Sequence, residues 1–280
     1  MSFLLRESLE RFLAEDLGRG DATTNAIVPA GAKGLGRFRV RTPAVVCGLD
    51  VAREVFSLLD PDSVWTGESE DGSAAAAGAV LASVSGKARA LLSGERVALN
   101  LLQRMCGIAT ATRRYVDAVA GTSCRILDTR KTAPGLRALD KRAVAAGGGA
   151  NHRFGLDDGI LIKDNHLAVA GSVAEAVARA KRHAPHLVRI EVEVETEGAL
   201  REALAAGADA LLLDNRSPRE LASLVSVARS LRPEVPLEAS GGITLENVRA
   251  CAETGVDFIS VGALTHSAAG TDISLEIEVA

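Results

Sequence analysis

Residues 188–215 read VRIEVEVETEGALREALAAGADALLLDN, and this stretch carries the fold in miniature. Val188–Val192 is a short β-rich run, Thr196–Ala206 repeats its apolar residues at helical spacing, and Ala210–Leu213 is a second apolar run. The same texture extends in both directions. Further strands are predicted at Cys124–Leu127, Gly159–Ile162, Pro236–Ala239 and Phe258–Val261, with helices at Val173–Arg182, Pro218–Leu231 and Leu245–Glu253. Repeated β-then-α at these spacings means a parallel sheet, and this many units can close into a barrel. The connection from Arg130 to Gly159 is longer and holds Gly147-Gly148-Gly149, which predicts a functional segment rather than a simple join.

The first third of the chain has another texture. Leu4, Leu5, Leu9, Phe12 and Leu13 share a helical face over residues 4–16, ending near Gly18, and a Gly- and Asp-containing stretch follows to Asn25. Strands are predicted at Gly36–Arg41, Val45–Cys47 and Val80–Val84, with a helix over Leu49–Leu59. A long helical region spans Leu91 to Ala120, with a break expected near Gly107. This part is a mixed α+β unit.

With 280 residues, 47% of them apolar, the chain can bury a large core in one large domain or two unequal ones. A net charge of -4 argues against a nucleic-acid binder, whose phosphate contacts need a basic surface. Cys47, Cys106, Cys124 and Cys251 lack metal-ligand spacing and are expected to be free, buried thiols. Residues 1–17 have no uninterrupted apolar core of a targeting segment, and no run approaches the ~20 apolar residues of a membrane span. A cytoplasmic protein without membrane partners is expected.

Polar residues follow each predicted strand of the second part. Thr129, Arg130 and Lys131 come after Leu127, Lys163 after Ile162, Glu193 after Val192, Asp214 and Asn215 after Leu213, Ser240-Gly241-Gly242 after Ala239, and Gly262 after Val261. Parallel strands in such a fold share one carboxyl-end face, where active sites lie. Between Cys124 and His166 stand eight Lys or Arg and five Asp, in a chain that is acidic overall. Cations at strand ends and Gly-rich turns with free N–H groups suit a heavily anionic ligand. Ser240-Gly241-Gly242 opens the helix expected from Leu245 and, with Gly262, reads as a phosphate site; the bland alternative is a tight turn. Glu193 and Asp214 face that anion either as partners of Mg²⁺ and ribose hydroxyls or as ion-pair partners of Arg130 or Lys131. His152-Arg153 follows the triple glycine, a placement that favours function over a structural histidine. These charges suggest a diphosphate-bearing sugar and go no further.

Several segments resemble the quinolinate phosphoribosyltransferase family. They are Asp128-Thr129-Arg130-Lys131-Thr132, Asn151-His152-Arg153, Leu161-Ile162-Lys163-Asp164-Asn165-His166, Glu191-Val192-Glu193-Val194-Glu195, Leu213-Asp214-Asn215, Glu238-Ala239-Ser240-Gly241-Gly242 and Val261-Gly262-Ala263. Gly94-Glu95-Arg96 also fits, and the likeness runs from about residue 10 to 275. The resemblance implies an α/β fold of two domains: an N-terminal α/β sandwich over residues 1–107, and an open, atypical α/β barrel of the type II phosphoribosyltransferase kind over 108–270, with 271–280 returning to the sandwich. It implies a cytoplasmic homodimer with shared active sites, in some cases assembled further. By position, Arg130, Arg153, Lys163, Thr129 and His152, with Arg96 from the neighbouring subunit, would bind the two quinolinate carboxylates. Lys131 would lie between quinolinate and the diphosphate of phosphoribosyl pyrophosphate. Glu193 and Asp214 would hold Mg²⁺ and the ribose, directly or through water, and Ser240, Gly241, Gly242 and Gly262 the 5′-phosphate. The implied reaction yields nicotinate mononucleotide, pyrophosphate and CO2 without a protein nucleophile, in agreement with the absence of any nucleophile–base motif. Arg142 stands where the family often has an aromatic residue. A paralogue of altered specificity would be expected to change the pocket lysine, and an anion-binding module could lose Glu193, Asp214 or Arg96; all are present.

Overall fold

The computed structural model describes residues 3–279. In chain order the first elements are α1 (Phe3–Leu17), α2 (Ala22–Ile27), β1 (Lys33–Val40), β2 (Ala44–Val45), α3 (Leu49–Leu59), β3 (Val64–Gly67), β4 (Ala74–Ala75), β5 (Val80–Lys87) and α4 (Ala88–Ala118). There follow β6 (Arg125–Leu127), α5 (Arg137–Ala146), β7 (Ile160–Ile162), α6 (Asp164–Ala170), α7 (Val173–His183), β8 (Ile190–Val194) and α8 (Glu197–Ala206). The last are β9 (Ala210–Asp214), α9 (Pro218–Leu231), β10 (Leu237–Ser240), α10 (Val248–Ala252), β11 (Phe258–Ser260), α11 (Ala263–His266) and β12 (Ile273–Val279).

The chain divides into two compact units: Met1–Arg113 with Ala133–Gly148 and Ser267–Ala280, and Arg114–Thr132 with Gly149–His266. The first unit is built on a four-stranded antiparallel sheet in the order β12-β1-β5-β3. Alternation in β1 buries Gly34, Gly36, Phe38 and Val40 on one side. Phe38 packs edge-on against Phe56 of α3 at 6.0 Å and beside Trp65 of β3 at 5.5 Å, giving this unit its aromatic centre. Residues 133–148 lie inside the expected barrel range, yet charge ties them to the first unit. Arg104 of α4 grips the fully buried Asp140 of α5 in a fork of 2.7 and 2.8 Å, and Arg142 bridges Asp50 and Asp71. Helix α4 runs unbroken through Gly107, against the expected break. The glycine is there for close packing: a Cβ at 107 would strike the carbonyl of Ala269. Cys47 and Cys106, the latter on α4, are free and buried, as are Cys124 and Cys251 of the second unit.

The second unit is a six-stranded parallel sheet in the order β6-β11-β10-β9-β8-β7. Residues of all six strands line a single cavity, so the sheet curls round an interior, while its edge strands β6 and β7 stay unpaired with each other. The seam is crossed by the segment after Gly149, where Ala150 alone forms a bridge, to Leu127. Helices start where capping donors are met. Ser172 accepts from Glu175 N–H, Thr196 from Ala199 N–H, and Ser217 with Glu220 closes a capping box around Pro218. In β8 the alternation buries Ile190, Val192 and Val194 on one face and turns Glu191 and Glu193 to the other, into the interior. Among the described residues no helix is long and apolar enough to cross a membrane.

Candidate active site

Strand β8 runs two residues and β9 one residue past their predicted ends, so Glu193 and Asp214 belong to the strands rather than to the loops that follow. That fixes their direction. With Thr129, Arg130, Lys131, His152, Arg153, Lys163, Ser240, Gly241 and Gly242 they line a cavity of about 520 Å³ at the carboxyl ends of the strands. Arg96 lies in the first unit, exposed on α4.

The cationic side is under-partnered. Arg130 Nε is buried and has no hydrogen-bond partner. Arg153 donates from Nη1 only to a neutral acceptor, the Gly159 carbonyl at 2.7 Å, and both burial and the nearby Arg130 charge lower its pKa. Two guanidinium groups that repel each other beside a cavity favour an anion between them. Lys163 is different: Nζ donates to Glu193 at 2.8 Å, and among the described residues Glu193 forms no ion pair with Arg130 or Lys131. On the adjacent strand the Asp214 carboxyl has a raised pKa, first from burial and then from the Glu193 charge. Its Oδ2 accepts from Asn215 Nδ2 at 2.6 Å.

Two turns shape the opposite wall. Gly241 (φ +86°) and Gly242 (φ +63°) adopt conformations that L side chains rarely reach, and a Cβ on Gly241 would collide with the Asn215 amide. Among the described residues, the N–H groups of Gly241 and Gly242 enter no backbone hydrogen bond, so they remain available to an acceptor in the cavity. The helix expected from Leu245 begins only at Val248, because the Asn247 side chain accepts from Thr244 N–H and donates to the Gly242 carbonyl, extending the turn. Gly262 lies against Lys131: a Cβ there would come within 3.0 Å of Lys131 Cδ. The Lys131 backbone is held by Thr129 Oγ1 accepting its N–H at 3.0 Å and by Thr265 Oγ1 donating to its carbonyl at 2.9 Å.

A second cavity, about 500 Å³, opens at the beginnings of the strands, and His152, Arg153 and Glu238 line both. Its other walls are strand starts such as Arg125, Ile160, Ala210 and Phe258, whereas strand-end groups gather in the first cavity, which is therefore the candidate site. At the junction His152 Nε2 lies 3.2 Å from Glu191 and 3.4 Å from Glu238. Nδ1 accepts the Arg153 N–H at 2.7 Å. Burial, together with the charge of Glu191, pushes the Glu238 carboxyl up to about 7. Burial opposes charge on His152, but the bond to Glu191 and the charge of Glu238 raise its pKa. Because Nδ1 accepts the Arg153 N–H, the ring carries its hydrogen on Nε2, facing the two acids.

Glu191, Glu238 and Ser260 also line these cavities, and no role was expected of them. Their signal was period two: Glu191 lies two residues before Glu193 and Glu238 two before Ser240, so each pair shares the inner face of its strand.

Comparison with known proteins covers nearly the whole chain. Residues 21–106 match the family described as quinolinate phosphoribosyl transferase, N-terminal domain, and residues 108–276 its C-terminal domain. The chain is 47% identical over 274 residues to a probable nicotinate-nucleotide pyrophosphorylase [carboxylating] of Bacillus subtilis, covering 98% of this chain and 93% of the relative. It is 47% identical over 278 residues to the nicotinate-nucleotide pyrophosphorylase [carboxylating] of Mycobacterium leprae, covering 97% and 96%. The crystal structure of NadC from Streptococcus pyogenes superposes with a TM-score of 0.95 at 37% identity, covering 100% of this chain and 98% of that one.

Proposed function

The chain belongs to the quinolinate phosphoribosyltransferase family, and from that premise we infer how its cavity carries out the family's reaction. The protein is a transferase that moves phosphoribosyl from phosphoribosyl pyrophosphate to quinolinate, releasing pyrophosphate and CO2 and leaving nicotinate mononucleotide. The observation that carries the assignment to this cavity is the Arg130–Arg153 pair, with its unpartnered, buried Nε.

The quinolinate carboxylates lie against Arg130 and Arg153, with Thr129 and His152 at the pocket wall. Lys163 completes the pocket, drawn from Glu193 towards the substrate's charge. The 5′-phosphate sits on the free N–H groups of Gly241 and Gly242, beside Ser240 and Gly262. Glu193 and Asp214 receive the ribose hydroxyls. Their carboxylate oxygens also fit a hard divalent cation such as Mg²⁺, which takes one or two protein carboxylates beside substrate phosphates; after burial, the Glu193 charge raises the Asp214 pKa, and a cation between the two acids would relieve that repulsion. When bound, Mg²⁺ supplies charge neutralisation for the diphosphate.

Lys131, in the loop that follows β6, faces the departing diphosphate and offsets charge as the C1–oxygen bond breaks. Positive charge then develops on the ribose ring, and the pyridine nitrogen, held by its carboxylate clamps, forms the bond to C1. The nitrogen becomes cationic. The C2–carboxylate bond breaks with its electron pair left on C2, beside that positive charge, and C2 then takes a proton. Positioning and electrostatics supply the rate, so no protein nucleophile is needed. A homodimer in which Arg96 of a second copy reaches this pocket, and a cytoplasmic location, belong to the same proposal and rest on the family likeness.

The test is turnover of quinolinate with phosphoribosyl pyrophosphate, with and without Mg²⁺, following nicotinate mononucleotide and pyrophosphate. Nicotinate serves as the parallel substrate. Mg²⁺-dependent product from quinolinate alone is expected. Turnover of nicotinate instead would mean that the Arg130–Arg153 pocket does not select for the second carboxylate.

A further inference from the structure

The mechanism above leaves two inward-facing acids without a task, half-buried Glu191 and buried Glu238. His152 shows what they touch. Its Nδ1 is taken by the Arg153 N–H at 2.7 Å, and its Nε2 faces Glu191 at 3.2 Å and Glu238 at 3.4 Å. Its own N–H donates to Asp128, fully buried at the end of β6, at 2.8 Å. A ring engaged at both nitrogens can meet a substrate carboxylate only by giving up a protein partner. His152 therefore acts on the site chiefly through the chain it holds.

A metal ion is the other occupant such a trio could suggest, since its ligand atoms lie within 4.8 Å of one another. The ring opposes it. A metal-bound imidazole gives one lone pair to the ion and donates N–H from its other nitrogen. Here Nδ1 is an acceptor, so Nε2 carries the hydrogen and has no lone pair to give.

The trio instead anchors the segment that crosses the seam between the unpaired edges β6 and β7. Glu238 suits that task. It lies on β10, inside the sheet order, with only 4% of its surface exposed, and Oε1 is buried without a partner. We propose that Glu238 is a positioning residue for quinolinate: by holding Nε2 of His152 it fixes the His152-Arg153 turn across the seam, and so places the Arg153 guanidinium beside Arg130. This rests on the assignment of the quinolinate pocket made above. Glu191, on β8, is the second hold on the same nitrogen.

The test is steady-state kinetics on the full-length protein, with quinolinate and phosphoribosyl pyrophosphate varied separately, for Glu238→Leu and Glu238→Gln. Leucine is expected to raise KM for quinolinate at least tenfold while KM for phosphoribosyl pyrophosphate stays within twofold. Glutamine, which keeps an acceptor for Nε2–H, is expected to bring the quinolinate value back to within threefold of the parent. A residue that merely supports the sheet would lower the thermal midpoint without splitting the two KM values. Both values rising together, no change for quinolinate, or glutamine as harmful as leucine would each overturn the proposal. So would stoichiometric Zn²⁺ on the parent that is absent from Glu238→Gln. If Glu238→Leu fails to fold, His152→Asn takes its place, since it keeps an acceptor for the Arg153 N–H and loses the link to the acids. It should raise the quinolinate KM by the same tenfold, and adding Glu238→Gln should change it less than twofold further. A further fivefold loss in that double variant would sink the coupling. A parent that never turns over quinolinate would bring down the pocket assignment and this proposal together. A working parent whose variants show no split brings down the proposal alone.

Discussion

At the scale of single residues, the cavity holds groups whose environments disfavour the folded state and favour a ligand. Arg130 is the clearest, with a buried Nε that finds no partner. Arg130→Ala should raise KM for quinolinate at least tenfold, on the order of 1.5–3 kcal/mol for a charge-assisted contact, while the thermal midpoint holds or rises. An unchanged quinolinate KM would remove Arg130 from the pocket. Glu238 gives a second prediction, with a pH dependence. Its folded-state pKa is raised from 4.5 to about 7 by burial and the facing Glu191, against His152 and Lys163, which lower it. The folded protein therefore keeps a proton that the unfolded chain loses above 4.5, and stability falls as pH rises through that window and levels off above about 7. Glu238→Gln removes this fall. Denaturation curves should show the variant gaining on the parent by up to about 3 kcal/mol between those pH values, and a pH-independent difference would contradict the raised pKa of Glu238. The roles of Arg130 and Arg153 could be framed from the sequence, since strand-end cations announce an anion. That of Glu238 could not: an acid within an apolar strand carries no mark of its partner until His152, 86 positions earlier in the chain, is seen to face it.

At the scale of elements, periodicity found most of the second unit and missed what tertiary contact decides. Helices α3 and α9 occupy the predicted residues, because amphipathic spacing and the Ser217–Pro218 cap are local signals. Helix α5 is not announced by the sequence: it buries Leu139, Ala143 and Val144, but Asp140 and Lys141 are buried among them and Arg142 pairs with Asp50, so charge interrupts the apolar rhythm. Gly107 is the instructive error. Glycine in a helix usually weakens it, which suggested a break, but here it admits the backbone at Ala269. On an open helix face Gly→Ala would gain about 1 kcal/mol. Gly107→Ala should instead lose roughly 1–3 kcal/mol through overpacking, read as a lower urea midpoint at unchanged slope. A stabilised variant would show that the contact with Ala269 is slack.

At the scale of the whole molecule, the shared-site proposal predicts complementation. Arg96→Ala and Lys163→Ala should each be nearly inactive, and mixing them under conditions of proven subunit exchange should restore activity towards a quarter of the parent in the statistical limit of random pairing. No recovery would confine the site to one chain. The two-texture division of the chain was legible from the sequence. The ionic attachment of residues 133–148 to the first unit was not, since Arg104 and Asp140 meet only in the folded chain. One further feature bears on how the protein is made. Strand β12 supplies seven register pairs to β1, from Gly34 to Val40, yet it is synthesised after every strand of the parallel sheet. While the ribosome is still translating residues 41–272, β1 has a bare edge that its own chain cannot yet cover. The earliest unit to emerge is thus the last whose sheet can be finished, and a transcript truncated ahead of codon 273 would release chains with that edge permanently open to one another.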